Sequence, residues 1–123
     1  MGTRGFGELE AVVMDRLWNR ADDPTTVREL YEELAGEREI AYTTVMSTMD
    51  NLHRKQCLQR RRDGRAFRYW PTLTREQHSA RLMREALDDG GRCEVVLAHF
   101  LEQLGPECSD RLRAVLSRPA EGA

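Results

Sequence analysis

Hydrophobic residues recur at helical spacing three times within the first 55 residues of the chain. Steps of three and four residues place such side chains on one face of a helix, so we predict helices near residues 8–19, 26–36 and 42–55. The second helix also has a start signal, because Thr26 and Glu29 have the spacing of a capping box. The positions that form the three stripes are Leu9, Val12, Val13, Leu17, Val27, Leu30, Tyr31, Leu34, Val45, Met49 and Leu52.

Two short extended runs follow the third helix, at residues 57–62 and 66–70. Asp63-Gly64 lies between them, and an Asp-Gly pair favours a tight two-residue turn because such turns need a positive φ angle. Pro71 lacks a backbone donor and is expected to end the second strand. We therefore predict a β-hairpin with its tip at Asp63-Gly64.

Only helical patterns follow Pro71. Thr74 and Gln77 have the spacing of a second capping box, and two further apolar stripes lie on either side of the Gly105-Pro106 break. On isolated helices these stripes would expose apolar patches, so we expect a second copy of the chain to cover them. The residues predicted to form this dimer contact are Leu82, Leu97, Phe100, Leu101, Leu104, Leu112, Val115 and Leu116.

The predicted fold is mostly α with a small antiparallel β-hairpin. Three helices followed by a hairpin are the element order of a winged helix-turn-helix. We predict this domain at residues 1–72 and a C-terminal helical dimerisation domain at residues 73–123.

The composition and the lack of long apolar segments indicate where in the cell the protein is found. The chain has 123 residues, a formal net charge of −2 and 33% charged residues. It has no run of about 18 apolar residues of the kind that spans a membrane, and residues 1–7 lack the apolar core of a secretion signal. We therefore expect a cytoplasmic protein without a membrane partner.

The distribution of charge along the chain says more about possible ligands than the net charge does. Residues 51–70 contain seven basic residues and one acid, whereas residues 72–123 contain seven arginines and nine acids. A basic strip on a weakly acidic protein is typical of a surface that binds a polyanion.

A winged helix gives this strip a specific use. The N-terminal half of its third helix enters the major groove, where hydroxyl groups and a methionine can contact base edges, while basic wing residues meet phosphates. Adjacent strand residues face opposite ways, so we expect Arg61 to pair with an acid instead. The predicted DNA contacts are Tyr42, Thr43, Thr44, Met46, Ser47, Arg54, Lys55, Arg60, Arg62 and Arg65.

Other interpretations of these residues stay open. The arginines could form a solvated face, and the hydroxyl groups of Thr43, Thr44 and Ser47 could cap the helix. A winged helix could also serve as a protein-interaction module whose basic hairpin meets an acidic surface.

We expect no catalytic site, no cofactor and no metal. None of the phosphate-binding, metallopeptidase or serine-hydrolase motifs occurs. Cys93 and Cys108 are interpreted as small buried apolar side chains. The alternative is a repressor that senses metal or redox state through Cys93, His99 or Cys108.

The segment 41–49, with Leu52 and the segment 62–71, resembles the penicillinase-repressor family of winged-helix transcriptional regulators (the BlaI/MecI type), and residues 9–18 resemble that family's first helix. The resemblance covers roughly residues 6–105. It implies a homodimer that binds dyad-symmetric, double-stranded operator DNA and blocks transcription.

The resemblance also implies modes of regulation. Some members are inactivated by a regulatory protease at an Asn-Phe bond, where this chain has His99-Phe100 and lacks the asparagine. Copper-responsive relatives carry C-terminal C-x-C pairs, which Cys93 and Cys108 do not form.

Overall fold

The three amino-terminal helices form where the apolar pattern predicts them, and the hairpin follows. The computed structural model describes residues 5–20 and 22–118, and the account below concerns these residues. In chain order the elements are α1 Glu8–Trp18, β1 Thr25–Thr26, α2 Val27–Ala35, α3 Tyr42–Arg54, β2 Leu58–Asp63, β3 Ala66–Pro71, α4 Arg75–Asp89, α5 Cys93–Gln103 and α6 Pro106–Ser117. This architecture confirms the predicted mostly α fold with a winged helix-turn-helix.

Both predicted capping boxes are present. At the start of α2, the Glu29 amide donates to Thr26 Oγ1 at 3.1 Å, and the Thr26 amide donates to Glu29 Oε1 at 3.0 Å. At the start of α4, the same exchange joins Thr74 and Gln77, with both distances 3.0 Å. Each box satisfies amides that have no partner within the helix.

The sheet differs from the prediction in two ways. It has three antiparallel strands in the order β1-β3-β2, and the two-residue strand β1 was not predicted. The predicted turn is also wrong by one residue, because Asp63 pairs with Ala66 and leaves Gly64 and Arg65 as the loop. Gly64 has φ +67°, so glycine occupies the first loop position, as in a type II′ turn.

The core of the amino-terminal part lies between α1, α2, α3 and the base of the hairpin. Its side chains are almost entirely removed from water, and each contributes about 1.5–3 kcal/mol relative to exposure. Trp18 closes one side, where its indole N–H donates to the Leu73 carbonyl at 2.9 Å. The buried hydrophobic residues are Val13, Met14, Leu17, Trp18, Leu30, Leu34, Val45, Met49, Leu52, Leu58 and Tyr69.

The chain divides into two units within α4, one extending to Leu82 and the other beginning at Met83. The predicted boundary at residue 72 lies earlier. The first turns of α4 belong to the amino-terminal unit because His78 stacks on Phe6 (ring centroids 4.8 Å apart) and packs against Trp18 (5.3 Å).

The carboxy-terminal unit consists of the second half of α4 with α5 and α6. From residue 83 to residue 118 no side chain is buried. Apolar side chains of α4 and α5 line an open cleft, including Met83, Leu87, Val96, Leu97 and Phe100. Residues 119–123 of the predicted second domain lie outside the described residues. Among the helices described, none has the length and apolar character needed to cross a membrane.

Candidate nucleic-acid interface

Helix α3 has one buried face and one free polar face. Val45, Thr48, Met49 and Leu52 anchor it in the core. Thr43, Thr44, Met46 and Ser47 are exposed on the other side. The predicted tip of the helix is therefore accessible to a ligand.

The exposed hydroxyl groups do not cap the helix. The residue at the N-cap of α3 is Ala41, and no side chain caps that end. Across the described residues, the side chains of Thr43, Thr44 and Ser47 make no hydrogen bond within the chain, whereas the buried Thr48 donates to the Thr44 carbonyl at 2.8 Å. These results argue against the capping interpretation and leave three hydroxyl groups available to DNA.

Strand register assigns the wing residues to two faces. Arg60 pairs with Tyr69 and Arg62 pairs with Phe67, so these four side chains share the face that continues from the buried Leu58. The guanidinium carbons of Arg60 and Arg62 lie 4.2 Å and 5.4 Å from the centroid of the Phe67 ring.

The two predicted interface elements lie side by side. A cleft between α3 and the wing is lined by Met46, Ser47 and Asp50 from the helix and by Arg60, Phe67 and Tyr69 from the strands. The polar side of α3 and the arginine-bearing face of the wing therefore adjoin, where one duplex can contact both.

The predicted cations differ in how free they are. Arg62 and Arg65 are exposed and have no acidic partner within residues 5–20 and 22–118. Lys55 instead binds both carboxylate oxygens of Glu10 at 2.9 Å. Arg54 and Arg60 both contact Asp50, at 2.8 Å and 3.1 Å.

The expectation for Arg61 is wrong. The arginine of this strand that pairs with an acid is Arg60, which also donates to the Tyr69 hydroxyl at 3.2 Å. The Arg61 guanidinium lies 6.0 Å from the Trp70 ring on the opposite face, and it makes no ion pair among the described residues. The reason is register, because even-numbered positions of β2 face α3.

Arg68 strengthens the wing rather than adding free charge. Its guanidinium bonds Asp63 at 2.6 Å and the Pro24 carbonyl at 3.3 Å. The hydrogen bond from Arg68 lowers the pKa of the Asp63 carboxyl below its ordinary value. These contacts join β3 to the end of β2 and to the segment that precedes β1.

Arg28 is a candidate contact that the sequence reasoning missed. It is exposed, and its guanidinium lies 4.9 Å from the centroid of the Tyr42 ring at the tip of α3. Tyr42 is half-buried because its ring also meets Tyr31 edge-on, with centroids 5.6 Å apart. The signal was its place in the first turn of α2, since the first helix of such a pair crosses the DNA backbone.

The predicted dimer residues leave an apolar surface open, and all of them except Leu82 belong to the carboxy-terminal unit. Leu97, Phe100, Leu101, Val115 and Leu116 are exposed. The remaining three, which are half-buried, are Leu82, Leu104 and Leu112.

The expectation of buried cysteines in this unit is wrong, since Cys93 and Cys108 are both exposed. The physical reason is that this unit encloses no core of its own. Among the residues described, no three His, Cys, Asp or Glu side chains come together as a metal site.

A helix-turn-helix pair, a strand-paired wing and a shared cleft between them define a winged-helix DNA-binding protein. The family model for the penicillinase repressor matches residues 6–118. The chain therefore belongs to the penicillinase-repressor family, and it is a DNA-binding transcriptional repressor.

Two sequence relatives agree with this assignment. The chain is 41% identical over 120 residues to "Transcriptional regulator BlaI" of two Mycobacterium tuberculosis strains, CDC 1551 / Oshkosh and ATCC 25618 / H37Rv. These matches cover 95% of this chain and 86% of the relatives. Among solved structures, a mutant of MepR from a multidrug-resistant S. aureus clinical isolate aligns with a TM-score of 0.47 and 19% identity, covering 91% of this chain and 75% of that chain.

Proposed function

We propose that the protein is a homodimeric repressor whose recognition helix and basic wing bind dyad-symmetric, double-stranded operator DNA. The observation that supports this most directly is the cleft where Met46 and Ser47 of α3 adjoin Arg60 and Phe67 of the wing. A duplex placed against one element meets the other.

The two elements have different tasks in this proposal. Tyr42, Thr43, Thr44, Met46 and Ser47 contact base edges in the major groove, where hydroxyls and a thioether discriminate weakly. DNA shape therefore contributes to the choice of operator.

The cations hold the protein on the phosphates. Arg62, Arg65 and Arg28 are available for this in the structure as it stands. Three further cations are already in ion pairs: Arg54 and Arg60 with Asp50, and Lys55 with Glu10. They contact DNA only to the extent that these acids leave their charge free.

Dimerisation uses the apolar surface of the carboxy-terminal unit. A soluble monomer rarely exposes so many large apolar side chains together, and a second copy would cover them. Two-fold symmetry then places the half-sites about one turn of DNA, or a multiple, apart.

The proposal also covers the cellular location of the protein and its lack of enzymatic activity. We place the protein in the cytoplasm without a membrane partner, and we assign it no enzymatic activity because its relatives are transcriptional regulators. Inactivation by a regulatory protease at the exposed His99-Phe100 bond, which lacks the asparagine of the family site, and sensing through Cys93, His99 or Cys108 stay alternatives outside this proposal.

The test is a binding titration. A labelled duplex, selected by the protein from a randomised library, is compared with a scrambled duplex of the same composition by fluorescence anisotropy. We expect specific affinity at least about 1,000-fold above non-specific affinity, and a footprint with two symmetric halves. No selection of a dyad sequence, or equal affinity for both duplexes, would refute the proposal.

A further inference from the structure

Asp50 is the one acidic residue of the recognition helix α3, and its side chain faces the wing. Met46 and Arg54 are one turn away on either side of it, and its side chain lines the cleft described above. In the proposed complex, a carboxylate in this place would lie close to the phosphates of the duplex. On charge alone it would weaken DNA binding, so its role needs an explanation.

The carboxylate is held by two arginines of different elements. Arg60 from β2 binds Oδ1 at 3.1 Å, and Arg54 from the next turn of α3 binds Oδ2 at 2.8 Å. Both oxygens are therefore occupied, and the two cations share one negative charge.

Arg60 is held far more firmly than Arg54. Its side chain is 26% exposed, against 74% for Arg54. Arg60 also donates to the hydroxyl of the buried Tyr69 and stacks over Phe67. The hydrogen bond to Tyr69, followed by that to Asp50, raises the pKa of the Arg60 guanidinium. An exposed pair such as Arg54–Asp50 contributes little energy, whereas a half-buried pair is screened less by salt.

We propose that Asp50 is a positioning residue that lowers the affinity of the protein for DNA of any sequence, because it withholds positive charge from the DNA backbone at the junction of helix and wing. The proposal rests on the proposed function. Affinity for phosphates is independent of sequence, so a cation bound to Asp50 adds nothing to binding at random sites. The operator presents the same phosphates, so Asp50 lowers both affinities by a similar factor and leaves the choice of sequence to the base contacts of α3.

The size of the effect follows from counterion release. Replacing Asp50 by asparagine keeps the shape of the side chain and removes one negative charge. One additional phosphate contact makes the slope of log affinity against log salt steeper by about 0.9. At about 0.15 M salt this corresponds to about 5-fold tighter binding of non-specific DNA per protomer.

The experiment compares wild type, Asp50→Asn and Asp50→Asn with Arg60→Gln. Each binds the selected duplex and the scrambled duplex across a salt series, and circular dichroism verifies that each is folded. We expect Asp50→Asn to bind both duplexes more tightly, by a similar factor and with a steeper slope. Adding Arg60→Gln should return the slope toward wild type.

Glu33→Gln provides a matched control. Glu33 is also held by two arginines, Arg16 at 2.7 Å and Arg20, but these link α2 to α1 and the residues that follow it. This variant has the same change in net charge and should leave the slope and both affinities close to wild type.

The outcomes separate the inference from the function on which it rests. An unchanged slope, a gain on one duplex only, or a loss on both would overturn the role of Asp50 while wild type still discriminates. Failure of wild type to discriminate would instead count against the proposed function.

Discussion

Removing the two free wing arginines should weaken DNA binding in a way that salt reveals. Arg62 and Arg65 are exposed and lack acidic partners among the residues described, so each is free to neutralise one phosphate. Two lost contacts lower the slope of log affinity against log salt by about 1.8 per protomer. At about 0.15 M salt the same relation gives about 30-fold weaker binding per protomer, and the effect compounds in a dimer.

The same substitutions should leave the fold nearly unchanged. The contact that Arg62→Ala removes is its approach to Phe67 at 5.4 Å, and an exposed cation–π contact contributes about 0.5–1 kcal/mol. Arg65 is one of the two loop residues of the hairpin. The free energy of unfolding should therefore fall by less than about 1 kcal/mol, which separates loss of binding from loss of structure.

The assay is fluorescence anisotropy between about 50 and 200 mM salt, where phosphate contacts dominate the change in affinity. Wild type is compared with Arg62→Ala/Arg65→Ala on both the selected and the scrambled duplex. Arg84→Ala/Arg92→Ala is the control, since it removes two exposed arginines from the carboxy-terminal unit. Parallel losses on both duplexes with a reduced slope are expected. A double wing variant with the wild-type slope would refute phosphate contact by the hairpin.

Four further substitutions probe other parts of the structure. Leu101→Asp places a charge on the exposed apolar surface of α5 and should convert dimers to monomers in sedimentation velocity; an unchanged dimer would exclude this surface as the interface. Thr44→Ala should change preference among operator variants more than affinity for the scrambled duplex, and uniform loss would argue against base contact. Leu52→Ala removes a fully buried side chain and should lower the free energy of unfolding in urea by about 2–5 kcal/mol, whereas a loss below about 1 kcal/mol would mean that the core closes around the gap. Gly64→Ala should cost about 1–2 kcal/mol because φ is +67° with open space around it, while Gly105→Ala, equally open and without a positive φ, should cost less.

The sequence predicted the helices well because their signals are local. A capping box and an apolar stripe lie within a dozen residues, and the start of α2 at Val27 follows directly from Thr26 and Glu29. The strand β1 gave no such signal, since two residues cannot show alternation. It exists because Thr25 and Thr26 pair with Tyr69 and Arg68, more than 40 positions away.

The hairpin shows how a correct motif can give a wrong register. Asp-Gly predicts the loop itself, yet Asp63 pairs with Ala66 and its carboxylate binds Arg68. These contacts within the hairpin hold Asp63 in the strand, so the loop begins one residue later. The shift places Arg65 in the loop and makes Phe67, rather than Arg65, the cross-strand partner of Arg62.

The sequence predicted which elements form the candidate site, but not which of its basic side chains are free of acidic partners. Of the seven basic residues at positions 51–70, Arg54, Lys55, Arg60 and Arg68 have acidic partners. Some of these partners, such as Glu10 and Glu29, lie far away in the sequence. Counting charges along the chain therefore overstates the free positive charge that a duplex meets. What DNA encounters depends on which cations the fold has already paired, and the strength of non-specific binding should follow the unpaired arginines rather than the basic composition of the wing.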